Sequence, residues 1–187
     1  MPILGWGWVI IGVVVVVILW AILTFNRLVV LRQRIRNAWS QIDVQLRRRY
    51  DLIPNLVETV KGYAAHERGV FEEVTKARSA WAQAQGPQQQ AEASNMITGA
   101  LKTLFAVAEN YPDLKANQNF LALQEELAGI EGKIAYARQF YSDNVMAFNS
   151  MIQMFPASII AGMGGFRAEP YYQIELPAAR EPVAVKF

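Results

Sequence analysis

Residues 3–25 form 23 consecutive positions without a charge, ILGWGWVIIGVVVVVILWAILTF. A helix crosses a hydrocarbon core about 30 Å thick with roughly 20 apolar residues, so this run is long enough to span a bilayer. A string such as Val13–Val17 needs apolar surroundings on every side of a helix, which lipid supplies and a one-sided core does not. Trp6 and Trp8 lie near one end, Trp20 and Phe25 toward the other. Indole rings favour the headgroup boundary, so both ends carry the expected aromatic belt. A cleaved signal peptide fits poorly. No Lys or Arg precedes the run, it exceeds an h-region of about 7–15 residues, and no small-x-small cleavage site follows it.

Flanking charge sets the expected orientation. The N-terminal side has no Lys or Arg, whereas Arg27, Arg32, Arg34 and Arg36 follow the run. Positive residues stay on the cytoplasmic side, so the chain is expected to be single-pass, N-terminus out, remainder in. On a helix these four arginines fall within about 16 Å of the interface. There they are expected to face anionic lipid headgroups, which attract basic side chains over about a Debye length.

Arg47, Arg48 and Arg49 need another explanation. On a straight helix they stand about 33–36 Å beyond Phe25, several Debye lengths outside the lipid field. Residues 27–50 hold seven Arg and one Asp, a local charge of +6. Residues 51–187 hold eleven Lys or Arg and fifteen Asp or Glu, or −4. The triplet is therefore expected to contact a partner or a second subunit, or acids of its own bundle such as Glu109 or Asp113. Nucleic acid is not expected, because three arginines without interleaved aromatics make a weak signal.

Past the run, prolines punctuate the chain at 54, 87, 112 and 156, then at 170, 177 and 182. Proline-free stretches between them read as helices, because a helix interior rejects proline. The first is expected to continue straight out of the membrane, on a stripe of Leu28, Leu31, Ile35, Ala38, Ile42 and Leu46 with Trp39 beside it. The second is expected over about 52–85, with Asp51 as N-cap and Pro54 in the first turn. Gly62 and Gly69 share a face of it, as a close helix contact or a hinge. The third is expected over about 88–110 after the Gly86-Pro87 break. The fourth, about 113–155, keeps a near-heptad seam from Phe120 through Leu127, Ile134 and Tyr141 to Phe148.

The expected fold class is all-α: an N-terminal transmembrane helix continuing into an up-down-up-down bundle of long helices, with an extended C-terminal tail. The expected division is 1–26 anchor, 27–166 bundle and 167–187 tail, with YYQIEL (171–176) extended. Lengths pose a problem. The first helix rises about 37 Å from the membrane, whereas a 43-residue fourth helix would measure about 65 Å. Arg138 and Asp143 keep that helix out of lipid. It must therefore kink, splay or lie along the surface. The second half, with Gly129, Gly132, Asn144 and Asn149, is the expected place.

Candidate chemistry is sparse. The chain has no cysteine and one histidine, which excludes thiolate metal sites and every two-His motif within it. His66-Glu67 has no H-E-x-x-H, since position 70 is valine, and no E-x-x-H, since position 63 is tyrosine. Glu72 and Glu73 point about 100° apart on a helix and do not share a site. Glu125, Glu126 and Glu131 read as a solvated face. GMGG (162–165) has no following Lys-Ser/Thr and reads as a turn. No catalytic, cofactor or metal residue is expected.

The stretch LRQRIRNAWSQIDVQLRRRYDLIPNLVETVKGYAAHERGVFEEVTKARSA (31–80) closely resembles the LemA family of bacterial membrane proteins. YPDLKANQNFLALQEELAGIEGKIAYARQFYSDNVMAFN (111–149) resembles its later helices, and the AREPVAVKF end is similar in style to its C-termini. One departure is visible: where the family often reads Tyr-Asn twice, this chain has Tyr141-Ser142 and Phe148-Asn149. The resemblance implies one N-terminal anchor, a helical domain and a place in the bacterial inner membrane, but no reaction. The expected role is a non-enzymatic, membrane-anchored scaffold that self-associates or docks a protein partner on the cytoplasmic face. The alternative is a signalling or regulatory protein relaying membrane state through the bundle, with its glycines as hinges. A membrane hydrolase or metal enzyme using His66 is the third reading.

Overall fold

The computed structural model describes residues 3–172. Among them it is all-helical: α1 (Ile3–Lys61), α2 (Arg68–Gln83), α3 (Gly86–Ala108), α4 (Pro112–Lys115), α5 (Gln118–Gln153) and α6 (Ala157–Met163). The expectation for YYQIEL falls mostly outside the described residues. Tyr171 and Tyr172 have no regular structure.

The first expected helix and the start of the second are one, and the remainder of the second is the separate α2 after a break at 62–67. α1 runs 59 residues without a break and carries Pro54 in its interior. Asp51 is therefore no N-cap. The helix survives its proline because the flanking positions Ile53, Leu56 and Val60 are fully buried. Tertiary packing of that face outweighs one missing backbone hydrogen bond. The real stop is Gly62. There Tyr63 and Ala64 both donate to the Val60 carbonyl, at 3.0 and 2.9 Å. The glycines do not mark a close helix contact. A side chain at Gly62 would meet only its own helix, at the Thr59 carbonyl 3.4 Å away, and one at Gly69 would meet open space. Gly129 and Gly132 also face open space, inside the unbroken α5.

The expected fourth helix, 113–155, is in fact two, α4 and α5, and α6 follows beyond its end. Asn117 caps α5 by accepting the Phe120 amide at 3.0 Å, which separates α5 from the single turn of α4. At the other end the chain bends by 96° between α5 and α6. A bend was required by length; it lies at residues 154–156, beyond the asparagines and glycines expected to host it.

The chain divides into two compact units. The first joins Met1–Ser40 to Arg138–Tyr171. Its core alternates steps of three and four along α1, with Thr24, Leu28, Ile35 and Ala38 buried. Tyr141, Val145 and Phe148 of α5 and Ala161 of α6 are buried in the same unit. Trp39 meets Tyr141 edge to face at 5.8 Å, the spacing of a favourable aromatic pair. Asn149 exchanges two hydrogen bonds with the Glu169 backbone, each 2.9 Å, and Tyr141 donates to the Pro170 carbonyl at 3.0 Å. These bonds pin the segment after α6 to α5.

The second unit contains Gln41–Ala137. One apolar core takes Ile53, Leu56 and Val60 from α1, Phe71 and Val74 from α2, Ile97, Leu101 and Leu104 from α3, Leu114, and Phe120 and Leu127 from α5. The α2–α3 joint turns at Gly86, whose φ of +76° lies in the left-handed region that glycine tolerates, and Pro87 opens α3. Short joints and three–four spacing on each segment are what a helical bundle requires.

Candidate functional site

The arginines expected to act at surfaces have three different fates. Arg27, Arg34 and Arg36 are exposed on α1. Arg32 is half-buried, with its guanidinium 4.6 Å from the Phe166 ring centroid. Phe166 also meets Phe25 at 5.5 Å and Phe148 at 6.1 Å, both edge to face. One ring thus ties the end of the apolar run, the α5 seam and a basic residue together. Arg32 is therefore partly committed to an aromatic face rather than wholly to lipid. The sequence around Phe166 gave no hint of this.

Arg47 and Arg48 are exposed. Arg49 is not: its side chain is fully buried in the second unit. This corrects the expectation of a partner contact at that residue. One guanidinium nitrogen donates to Glu131 Oε1 at 2.7 Å and to Thr98 Oγ1 at 3.0 Å. The other donates to Ser94 Oγ at 2.6 Å and to the Ser94 carbonyl at 3.0 Å. The acid is a bundle acid, as one expectation had it, but Glu131 of α5 rather than Glu109 or Asp113. The signal was in the register. From Leu46 to Arg49 is three residues and from Arg49 to Ile53 is four, so Arg49 occupies a core position in the apolar stripe of α1. Ser94 does the same in α3, three residues before Ile97. A charge at a core position has to be paired and hydrogen-bonded, because an isolated buried ion is too costly. The guanidinium fork suits this because it serves α3 and α5 at once.

The remaining candidates do not converge. His66 is exposed in the α1–α2 joint, and Glu67 accepts from the Tyr111 hydroxyl at 3.3 Å. Glu72, Glu73, Glu125 and Glu126 are exposed. Among the described residues no three His, Asp or Glu side chains could hold a metal ion. An open groove of about 630 Å³ lies along α2, with Lys61, Arg68, Lys76 and Glu72 at its walls and Phe71 at its base. Its mixed charges are spread over an open face without a buried polar group aimed inward.

Val9 to Leu19 are between 48 and 64% exposed, apart from Gly12. This half of α1 is long and apolar enough to cross a membrane and is not covered by the other described residues.

The model of the LemA family matches residues 38–187, four-fifths of the chain. The chain belongs to the LemA family. This LemA-family chain is 26% identical over 188 residues to magnetosome protein MamQ 2 of Paramagnetospirillum magneticum, covering 87% of itself and 69% of that protein. It is 24% identical to magnetosome protein MamQ of Magnetospirillum gryphiswaldense, with the same coverage. It is also 28% identical over 140 residues to protein LemA of Metamycoplasma hominis, covering 73% of itself and 63% of that relative. The apolar run precedes the matched region, whereas the Arg49 node, with Ser94, Thr98 and Glu131, lies inside it.

Proposed function

We propose that this LemA-family chain is a non-enzymatic, single-pass scaffold of the bacterial inner membrane that self-associates on the cytoplasmic face. The observation that carries this reading is the continuity of α1. One helix of 59 residues is lipid-like and uncovered at its N-terminal half and supplies core residues to both compact units further on. Basic residues at only one end of the apolar run support the cytoplasmic placement of the bundle. Exposed Arg47 and Arg48, against the net −4 of residues 51–187, support contact between copies through opposite charge. The magnetosome relatives suggest organisation of a membrane-bound assembly as the setting.

The chain has no cysteine, so an introduced one is a sole reporter. Gln88→Cys, exposed on α3, should react with an impermeant maleimide only after the cells are opened. Labelling of intact cells would overturn the orientation. Crosslinking in native membranes should give discrete oligomers, and monomers alone at every protein concentration would overturn self-association. The same continuity of α1 favours a second reading, a relay of bilayer state into the bundle. Under that reading, changing bilayer thickness would alter amide exchange around Arg49; unchanged exchange would remove it.

A further inference from the structure

The α5–α6 elbow has the wrong surface for water. Residues 144–166 carry no charge. Met154, Phe155, Ile159 and Met163 are 61, 83, 54 and 84% exposed. Ile159 and Met163 are four apart in α6 and fall along one side of it, while Ala161 is buried on the inner side and Phe155 is exposed in the bend just before it. A short helix with its apolar side outward reverses the normal polarity of a surface helix. Contiguous apolar patches on a soluble surface mark a site of contact.

What covers the patch is indicated by its neighbours. Ile160, Met163 and Gly164 line an open groove of about 330 Å³ together with Ala21, Ile22 and Phe25. Phe166, three residues after α6, stacks edge to face on Phe25. α6 is thus level with the last turns of the charge-free run, where the headgroup boundary of a spanning α1 must fall. It is bent 96° from α5 and so runs across the direction of that helix. Through that groove the patch is continuous with Ile22 of α1, 51% exposed. A protein partner seated on α6 alone would have to share that surface with lipid.

We propose that α6 and its elbow form a second membrane-contact element, with Met154, Phe155, Ile159 and Met163 lying in the acyl boundary of the leaflet beside Phe25. This is the mode of an interfacial helix, which sinks its apolar face about 5–10 Å below the headgroups. The groove toward Ala21 and Ile22 then holds acyl chain. The first charges on either side, Asp143 and Arg167, mark where the chain leaves the boundary.

The test uses the full chain in lipid nanodiscs, with one environment-sensitive fluorophore on Met163→Cys, Gly12→Cys or Gln88→Cys. Quenching by nitroxide on a shallow acyl carbon should be several-fold stronger at 163 than at 88, with blue-shifted emission. Position 12 should be quenched most by a nitroxide deep in the chain. Quenching at 12 but not at 163 overturns the inference while α1 still spans. No quenching at either position overturns the span and the inference with it. Blue-shifted emission at 163 without lipid quenching assigns the patch to a second copy or another protein instead. As a second variant, Ile159→Asp should leave helix content unchanged, since the side chain points outward, and should reduce the quenching at 163 several-fold. Unchanged quenching would count against insertion.

Discussion

Arg49 separates what charge alone suggests from what register dictates. Three consecutive arginines read as a basic patch, yet only the third falls on the apolar stripe, and only it is buried. Arg49→Ala should lower stability by about 2–4 kcal/mol, because it removes charged hydrogen bonds and leaves a void between three helices. Arg49→Lys should cost less but still destabilise, since one ammonium cannot reproduce the fork. Glu131→Gln should cost about 1 kcal/mol or less, because that carboxylate is 40% exposed and water can replace much of the loss. Denaturant midpoints rank the three. Equal losses for Arg49→Ala and Glu131→Gln would show that the ion pair, not the bonds to Ser94 and Thr98, dominates. Tyr141 gives a second residue-scale reading. Burial pushes its phenol above the ordinary 10.0, and the charge of Glu169 adds to the rise. The unfolded phenol ionises first as pH climbs, so stability should be full below pH 10 and fall above it. Thermal melts in alkaline buffer should show this slope, and Tyr141→Phe should flatten it.

Individual helices are legible where spacing repeats and at the joints near Pro87, Pro112 and Pro156, but Pro54 marks no helix boundary. The stripe from Leu28 to Leu46 and that from Ile53 to Val60 belong to one helix, and Pro54 falls inside it. Proline weakens a helix locally, whereas burial of Ile53, Leu56 and Val60 acts over several turns, so packing decided the outcome. Pro54→Ala should therefore stabilise the protein by about 1–3 kcal/mol, by restoring a donor for the Tyr50 carbonyl and removing the ring clash. A lower melting temperature would mean that the proline shapes the helix usefully. In the sequence Asn149 stood out only as a candidate kink position and as part of the Phe148-Asn149 departure from a family pattern. In the structure it holds the Glu169 backbone with two hydrogen bonds. Asn149→Ala should speed tryptic cleavage after the exposed Arg167 about tenfold, the equivalent of losing about 1.4 kcal/mol of local stability. An unchanged rate would assign the segment's position to Tyr141 and Phe166.

For the molecule as a whole, the three–four apolar spacing and the charge-free run were enough to indicate an all-helical fold over the described residues, with one segment fit to cross a bilayer. Side-chain partners across distant segments were not legible: nothing local links Arg49 to Glu131, or Phe25 to Phe166. Self-association belongs at this scale. Arg47→Glu with Arg48→Glu should reduce crosslinked oligomers several-fold while leaving helix content intact, since both side chains are exposed. Unchanged oligomers would move the contact elsewhere. The unbroken α1 also limits how such a protein can vary. Each residue turns a helix by about 100°. Adding one between Phe25 and Leu28 would swing the lipid-facing half out of phase with Phe166 and α6. Length changes in that stretch keep phase only near whole numbers of turns, such as seven, eleven or eighteen residues, which makes the stalk a ruler with coarse divisions.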